Sequence, residues 1–258
     1  MAIDYAADGG IQSVPAAVVF ALLYVPLVVW YLRTLIFNVR RYVVVLTLFC
    51  TIRVVSFIIR ALLAGSSSAA QNLSLYTADQ VLLSIGYFTL LFSAYTLVMD
   101  RQQLDGPLNI VWALVQNRHL FRITMVLAVI LGIVGASSSE DSQSSSTLIK
   151  ASVVIFLVLT LLHTLNTALL INLEFVDPGI KYPSYAPFGA RNGSIVLLVI
   201  SFLFLTREIF ITGTLGNTAV YENEHFWYPF VALPELIAVA LYLTPGLFPE
   251  PQPQIPMH

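Results

Sequence analysis

The sequence predicts an all-α integral membrane protein, a seven-transmembrane helix bundle with its N-terminus outside and its C-terminus in the cytoplasm. Three observations lead there. Seven apolar runs fill most of the 258 residues, each near the ~20 residues that a helix needs to cross a bilayer. Charged residues make up only 10% of the chain and hydrophobic ones 58%, with a mean hydropathy of +0.84, whereas soluble domains carry about 25% charged residues. When the runs alternate in direction, Arg33, Arg40, Arg41, Arg101, Arg118, Arg122, Lys181 and Arg191 fall on one side and Lys150 on the other. Such a bias marks the cytoplasmic face.

The spans are expected at residues 14–37, 42–64, 75–99, 120–136, 148–173, 192–215 and 226–247. An extracellular tail (1–13) precedes this membrane domain (14–247) and a Pro-rich cytoplasmic tail (248–258) follows it. The first run lacks the basic start of a secretory signal, so it reads as a retained helix, with Arg33, Arg40 and Arg41 as its stop-transfer cluster. Before the short fourth span, Leu108, Val111, Trp112 and Val115 recur at helical spacing, as in a surface helix or an early start of helix four. Within that span Ala128, Gly132 and Ala136 form a small-residue stripe for close helix approach. Trp30, Tyr31 and Tyr42 are expected at the inner interface, Trp227 and Tyr228 at the outer one.

Asn72-Leu73-Ser74 is a glycosylation acceptor on the outer side, as is the Ser-rich loop 137–146. Asn192-Gly193-Ser194 falls on the inner side, where it should stay unmodified. Passage through the secretory pathway to the plasma membrane or an endomembrane follows.

Six ionisable side chains lie inside the runs: Arg53, Arg60, Asp79, Arg207, Glu208 and Glu235. Their charges cancel, as expected where buried ions must pair. Depth along the spans puts Arg53 level with Glu235, and Arg60 level with Asp79 and Arg207; contacts Arg53–Glu235 and Arg60–Asp79 are expected. These groups, with His163, either fix helix register or line a polar cavity open to the outer leaflet, because intramembrane charge is costly and commonly functional. Pro229 and Pro234 each free a backbone carbonyl one turn earlier, which marks helix seven as a cavity wall or hinge. His163 and Asn166 lie near mid-membrane on helix five, three residues apart, and His163 is expected to be a hydrogen-bonding partner rather than a ligand.

Much chemistry is excluded. Cys50 is the sole cysteine, so no intramolecular disulfide forms, and its place is in helix packing. There is no HExxH, phosphate-binding Gly loop or Cys/His cluster, so neither a metal nor a cofactor is expected. Helix seven has no lysine for retinal, and His163 has no second histidine for haem. No basic stretch suits nucleic acid. Asp100-Arg101 resembles a receptor signature, yet helix seven lacks Asn-Pro-x-x-Tyr.

The stretch from Glu224 to Tyr228 (EHFWY), then Ala232-Leu233-Pro234 and Pro245-Gly246, resembles the last helix of the fungal lipid-translocating exporters. That family carries an acidic residue where Val231 or Ala232 stands, and a histidine where Thr244 stands. Over residues 15–247 the chain is similar to an uncharacterised fungal seven-helix family, a domain of unknown function. The recognisable pieces are residues 48–53 (LFCTIR) and 131–135 (LGIVG). The resemblance implies a fungal integral membrane protein and carries no activity with it.

The leading expectation is lipid or amphiphile transport or handling, with a headgroup near Arg53, Arg60, Arg207, Glu208 and Glu235. The alternatives are a receptor or sensor with a cytoplasmic protein partner, and a small membrane enzyme of terpene-cyclase type. In the last, Glu208 or Glu235 would donate a proton, a role the neighbouring arginines oppose.

Overall fold

The computed structural model describes residues 4–37, 39–102, 117–137, 143–176, 187–221 and 223–248. The segment 108–115, Lys181, the centre of the Ser-rich loop and the Pro-rich tail lie outside the described residues. Six long helices are α1 (Val14–Phe37), α2 (Arg41–Gly65), α3 (Leu73–Gln102), α4 (Arg118–Ser137), α5 (Gln143–Val176) and α6 (Phe188–Gly213). All six are long and apolar enough to cross a membrane.

The seventh apolar run folds differently from the expected single helix over 226–247. It comprises a helical turn at Glu224–Trp227, a π-helical turn at Tyr228–Ala232 and an α-helix at Leu233–Leu241. We call this composite α7. Its regular part is nine residues long, and the chain turns away after Leu241.

Helix ends follow local chemistry. The Asn72 side chain accepts from the Leu75 N–H, Asn117 from those of His119 and Leu120, and Asn223 from that of His225. Each asparagine oxygen thus satisfies donors that a first helical turn leaves free. Ser66, at φ −137° and ψ 120°, ends α2. Within the helices, Thr47, Thr96, Thr160 and Thr167 bond the carbonyl four residues back, which spares their hydroxyls from hydrocarbon.

Each helix packs on the next, and α7 returns to α1, while α3 also touches α5 and α6. This makes α3 the most buried span and leaves α1 and α4 largely on the outside. Outward faces are apolar: Leu22, Val29 and Ile36 on α1 and Ile123 and Ile130 on α4 are all at least half exposed. Such continuous apolar surface belongs against lipid. On α4 the small-residue stripe meets α5: Ala128 is fully buried, and a Cβ on Gly132 would lie 3.0 Å from Ser152 Oγ.

Several aromatic expectations fail for one reason, that the residues have partners inside. Tyr31 is buried and its hydroxyl donates to the Val239 carbonyl at 2.9 Å. Trp227 and Tyr228 are also buried, Tyr228 stacking on Phe20 at 5.0 Å. Trp30 remains exposed, as an interfacial ring would be.

One end of the bundle gathers residues 4–13, the close of α2, the start of α3 and the start of α7. There Ala6, Ile11, Leu63 and Ala70 form a small core, and Glu224 accepts from the Gln12 N–H. We call it the N-terminal end. At the opposite end Asp100 takes the Tyr42 hydroxyl and pairs with Arg118. Arg101 donates to the Gly189 carbonyl at 2.6 Å, and the Gly189 N–H donates to the Pro245 carbonyl. The Asp100-Arg101 pair is therefore a structural tie between α2, α3, α4 and α6. Gly193 is buried against Arg101, and Ser194 is buried with its hydroxyl bonded to Glu174.

Gly246 closes that tie with φ +81°, and a Cβ there would approach Pro187 Cγ to 2.5 Å. Left-handed backbone alone costs an L-residue about 1–2 kcal/mol. Gly246→Ala should therefore lower the melting temperature in detergent, and an unchanged value would show that the 245–247 turn does not hold the end together.

Candidate functional site

Both ion pairs expected from depth form. The Arg53 Nη2 of α2 lies 2.7 Å from Glu235 Oε1 and 2.6 Å from Oε2. The Arg60 Nε lies 3.5 Å from Asp79 Oδ2, while Asp79 Oδ1 accepts from Ser56 at 2.6 Å. All five side chains are almost fully buried.

Arg207, level in depth with Arg60 and Asp79 by the residue count, pairs with neither of them. Its Nε donates to Glu235 Oε1 at 2.7 Å, and its Nη1 pairs with Glu208. The result is a chain of alternating charge, Arg53–Glu235–Arg207–Glu208, that joins α2, α7 and α6. Glu235 is its branch point, touching both arginines.

Packing holds each guanidinium in place. Arg207 lies over the Tyr87 ring at 3.8 Å and Arg60 over the Trp227 ring at 3.6 Å, where the negative ring face meets the cation. Arg53 Nη2 also reaches the Leu83 carbonyl of α3 at 3.3 Å. Its guanidinium lies on Gly86, where a Cβ would come within 3.0 Å of Cζ and Nη1. Gly86 thus permits the close approach that a larger residue would block.

Pro229 lies in the π-helical turn and Pro234 opens the following α-helix. A proline has no N–H to give and clashes with the turn before it. The wider π turn accommodates this change of hydrogen bonding, and π turns inside helices often sit at functional sites. Glu235 directly follows Pro234, in the first turn of the α-helix after it.

A cavity of about 380 Å³ lies among α3, α4, α5, α6 and the start of α7. Arg207, Glu208 and Tyr87 line its inner part, and Tyr76, Ala136, Ile149 and Thr214 line it near the N-terminal end. Thr77, Gln80 and Ser84 make one polar wall; Ile133, Val153, Phe156, Ile211 and Leu215 are apolar. Of the residues expected around a cavity, Arg207 and Glu208 line it. Arg53, Arg60, Asp79, His163 and Glu235 do not. His163 instead meets Ser201 at 3.1 Å between α5 and α6, and Asn166 pairs with Gln102 of α3 at 2.7 Å. Both act as hydrogen-bonding partners that tie helices together.

The polar wall was missed from the sequence. Thr77, Gln80 and Ser84 recur at three- and four-residue spacing, which marks one helix face. Among the described residues no cluster of His, Cys, Asp and Glu could hold a metal ion.

A bundle with lipid-facing apolar helices, a charge-compensated interior and six spans of membrane length is a multi-pass integral membrane protein. Residues 13–248 match the family described as a domain of unknown function, DUF7702, and the chain belongs to that family. No curated protein and no solved structure matches the chain.

Removing one partner of a buried pair strands the other charge, at a cost of about 3–5 kcal/mol. Asp79→Asn should accordingly destabilise the protein in detergent far more than Ser56→Ala, which removes a hydrogen bond worth about 1 kcal/mol. Equal, small shifts in melting temperature would mean that water reaches the Arg60–Asp79 pair.

Proposed function

We propose that this protein is a seven-helix, N-out membrane protein that binds an amphiphile in the cavity among α3–α7 and handles or transports it. The observation that carries the reading is the cavity itself: apolar walls around a paired arginine and glutamate, with a strip of neutral polar side chains. Ligand sites are typically apolar clefts of ~300–1,000 Å³ with a few convergent polar groups. A lipid tail suits Ile133, Val153 and Ile211, and a headgroup suits Arg207 and Glu208. The buried pairs Arg53–Glu235 and Arg60–Asp79 support the site from behind, and Pro229 and Pro234 supply the hinge beside it. The likeness of the EHFWY stretch to the lipid-translocating exporters, and the fungal source it implies, agree with this reading.

In this orientation the cavity lies toward the outer leaflet, and Asn72, exposed just before α3, faces the lumen of the secretory pathway or the outside. Its Oδ1 accepts from Leu75 N, which leaves the amide nitrogen for a glycan. The mature location is the plasma membrane or an endomembrane.

Two experiments test the reading. In proteoliposomes the wild-type chain should move a fluorescent lipid between leaflets, and Ala136→Phe, which fills the cavity, should lose that activity while still reconstituting. Retained movement in Ala136→Phe would remove the cavity from the mechanism. For the orientation, endoglycosidase treatment should shift the wild-type band in a gel and leave Asn72→Gln unshifted; an unshifted wild type would contradict the N-out arrangement.

A further inference from the structure

We infer that the cavity selects an amphiphile with an electrically neutral headgroup that both donates and accepts hydrogen bonds, such as a hydroxyl- or amide-headed lipid, over anionic or cationic ones. The inference rests on the proposed amphiphile site and concerns its selectivity.

The charge count comes first. Arg53, Glu235, Arg207 and Glu208 sum to zero, and each is bonded to the next. Only Arg207 and Glu208 among them line the cavity, and they are paired with each other. Apart from tyrosine, no other ionisable group lines it among the described residues. An incoming carboxylate or phosphate would have to draw Arg207 from Glu208 or Glu235. An incoming ammonium would have to draw Glu208 from Arg207. Either move leaves one buried charge without its partner, in a space whose apolar walls screen little.

Geometry adds a second constraint. Arg207 is held on three sides: Nε by Glu235, Nη1 by Glu208 and its face by Tyr87. It is thus fixed in place rather than free to follow a ligand anion. What the pair presents is a donor and an acceptor side by side. A hydroxyl has one hydrogen to donate and lone pairs to accept with, and a carboxamide has both kinds of group, so either satisfies both neighbours without breaking the pair. The third observation is the α3 wall, where Thr77, Gln80 and Ser84 are all neutral and all able to donate or accept.

The test compares three chains of equal length: dibromostearyl alcohol, dibromostearic acid and dibromostearylamine. Bromine quenches indole fluorescence on contact, and Trp227 lines the cavity. Titrations use the full chain in uncharged detergent at neutral pH, with Trp227→Phe as the blank. The alcohol should bind at least about tenfold tighter than the acid or the amine, a difference of about 1.4 kcal/mol. Equal or tighter binding of either charged probe would overturn the inference while leaving the amphiphile site intact. If no probe quenches beyond the blank, the cavity takes no amphiphile and the proposed function fails with the inference. Glu208→Gln, which leaves Arg207 in excess, should move the preference to the acid; an unchanged ranking would show that charge balance does not set selectivity.

Discussion

The carboxylate of Glu235, shared between Arg53 and Arg207, is the constraint on which the arrangement of the bundle depends. It lies 2.6–2.7 Å from each arginine, on a helix that neither arginine belongs to. Hydrocarbon and packed protein cannot hydrate an ion, so a charge placed there must find its opposite. Once Arg53 is committed to the core of α2, α7 must present an acid at that depth and α6 must come close enough to complete the chain. Three helices far apart in sequence are thereby held in one register. Glu208 then balances the second arginine, and the four charges cancel.

Placing that acid has a local cost in backbone regularity. Pro229 and Pro234 interrupt the α-helical ladder, and the π turn that contains Pro229 absorbs the break next to Arg60, whose guanidinium stacks on Trp227. On the other side, Gly86 lets α3 lie against Arg53. Because α3 touches α5 and α6 as well as its chain neighbours, α4 and α5 pack beside it as well as on each other. The space left between them is the cavity, and Arg207 and Glu208 line its inner part as the near end of the charge chain. Register and cavity are thus consequences of the same pairing.

Six of the helices were legible because their apolar runs have membrane length, and the starts of α3 and α4 shifted slightly where Asn72 and Asn117 cap them. The seventh run was not, because Pro229 and Pro234 divide it into shorter pieces. The Arg53–Glu235 and Arg60–Asp79 pairs were legible because depth along a span is a simple count of residues at a fixed rise. The partners of Arg207 were not legible, because depth locates Cα, whereas the charge sits at the end of a long stem. Side chains tilt toward the helix N-terminus, and α6 begins at the opposite end, so the Arg207 guanidinium lies deeper than its backbone and meets Glu235. Trp227, Tyr228 and Tyr31 were placed at interfaces because composition shows an amphipathic ring but not which way the helix face turns. His163 was grouped with the charges for the same reason. The role of Arg101, reaching a carbonyl at Gly189, leaves no mark in sequence, because any backbone carbonyl can accept it.

The most direct test of this account is a double-mutant cycle on Arg53 and Glu235, read as thermal unfolding in mild detergent. Arg53→Met and Glu235→Gln each leave the remaining chain one charge out of balance, while the double variant restores neutrality with Arg207 and Glu208 still paired. The double variant should be more stable than either single one. If instead the two losses simply add, the shared carboxylate does not hold these helices together, and the bundle owes its register to packing alone.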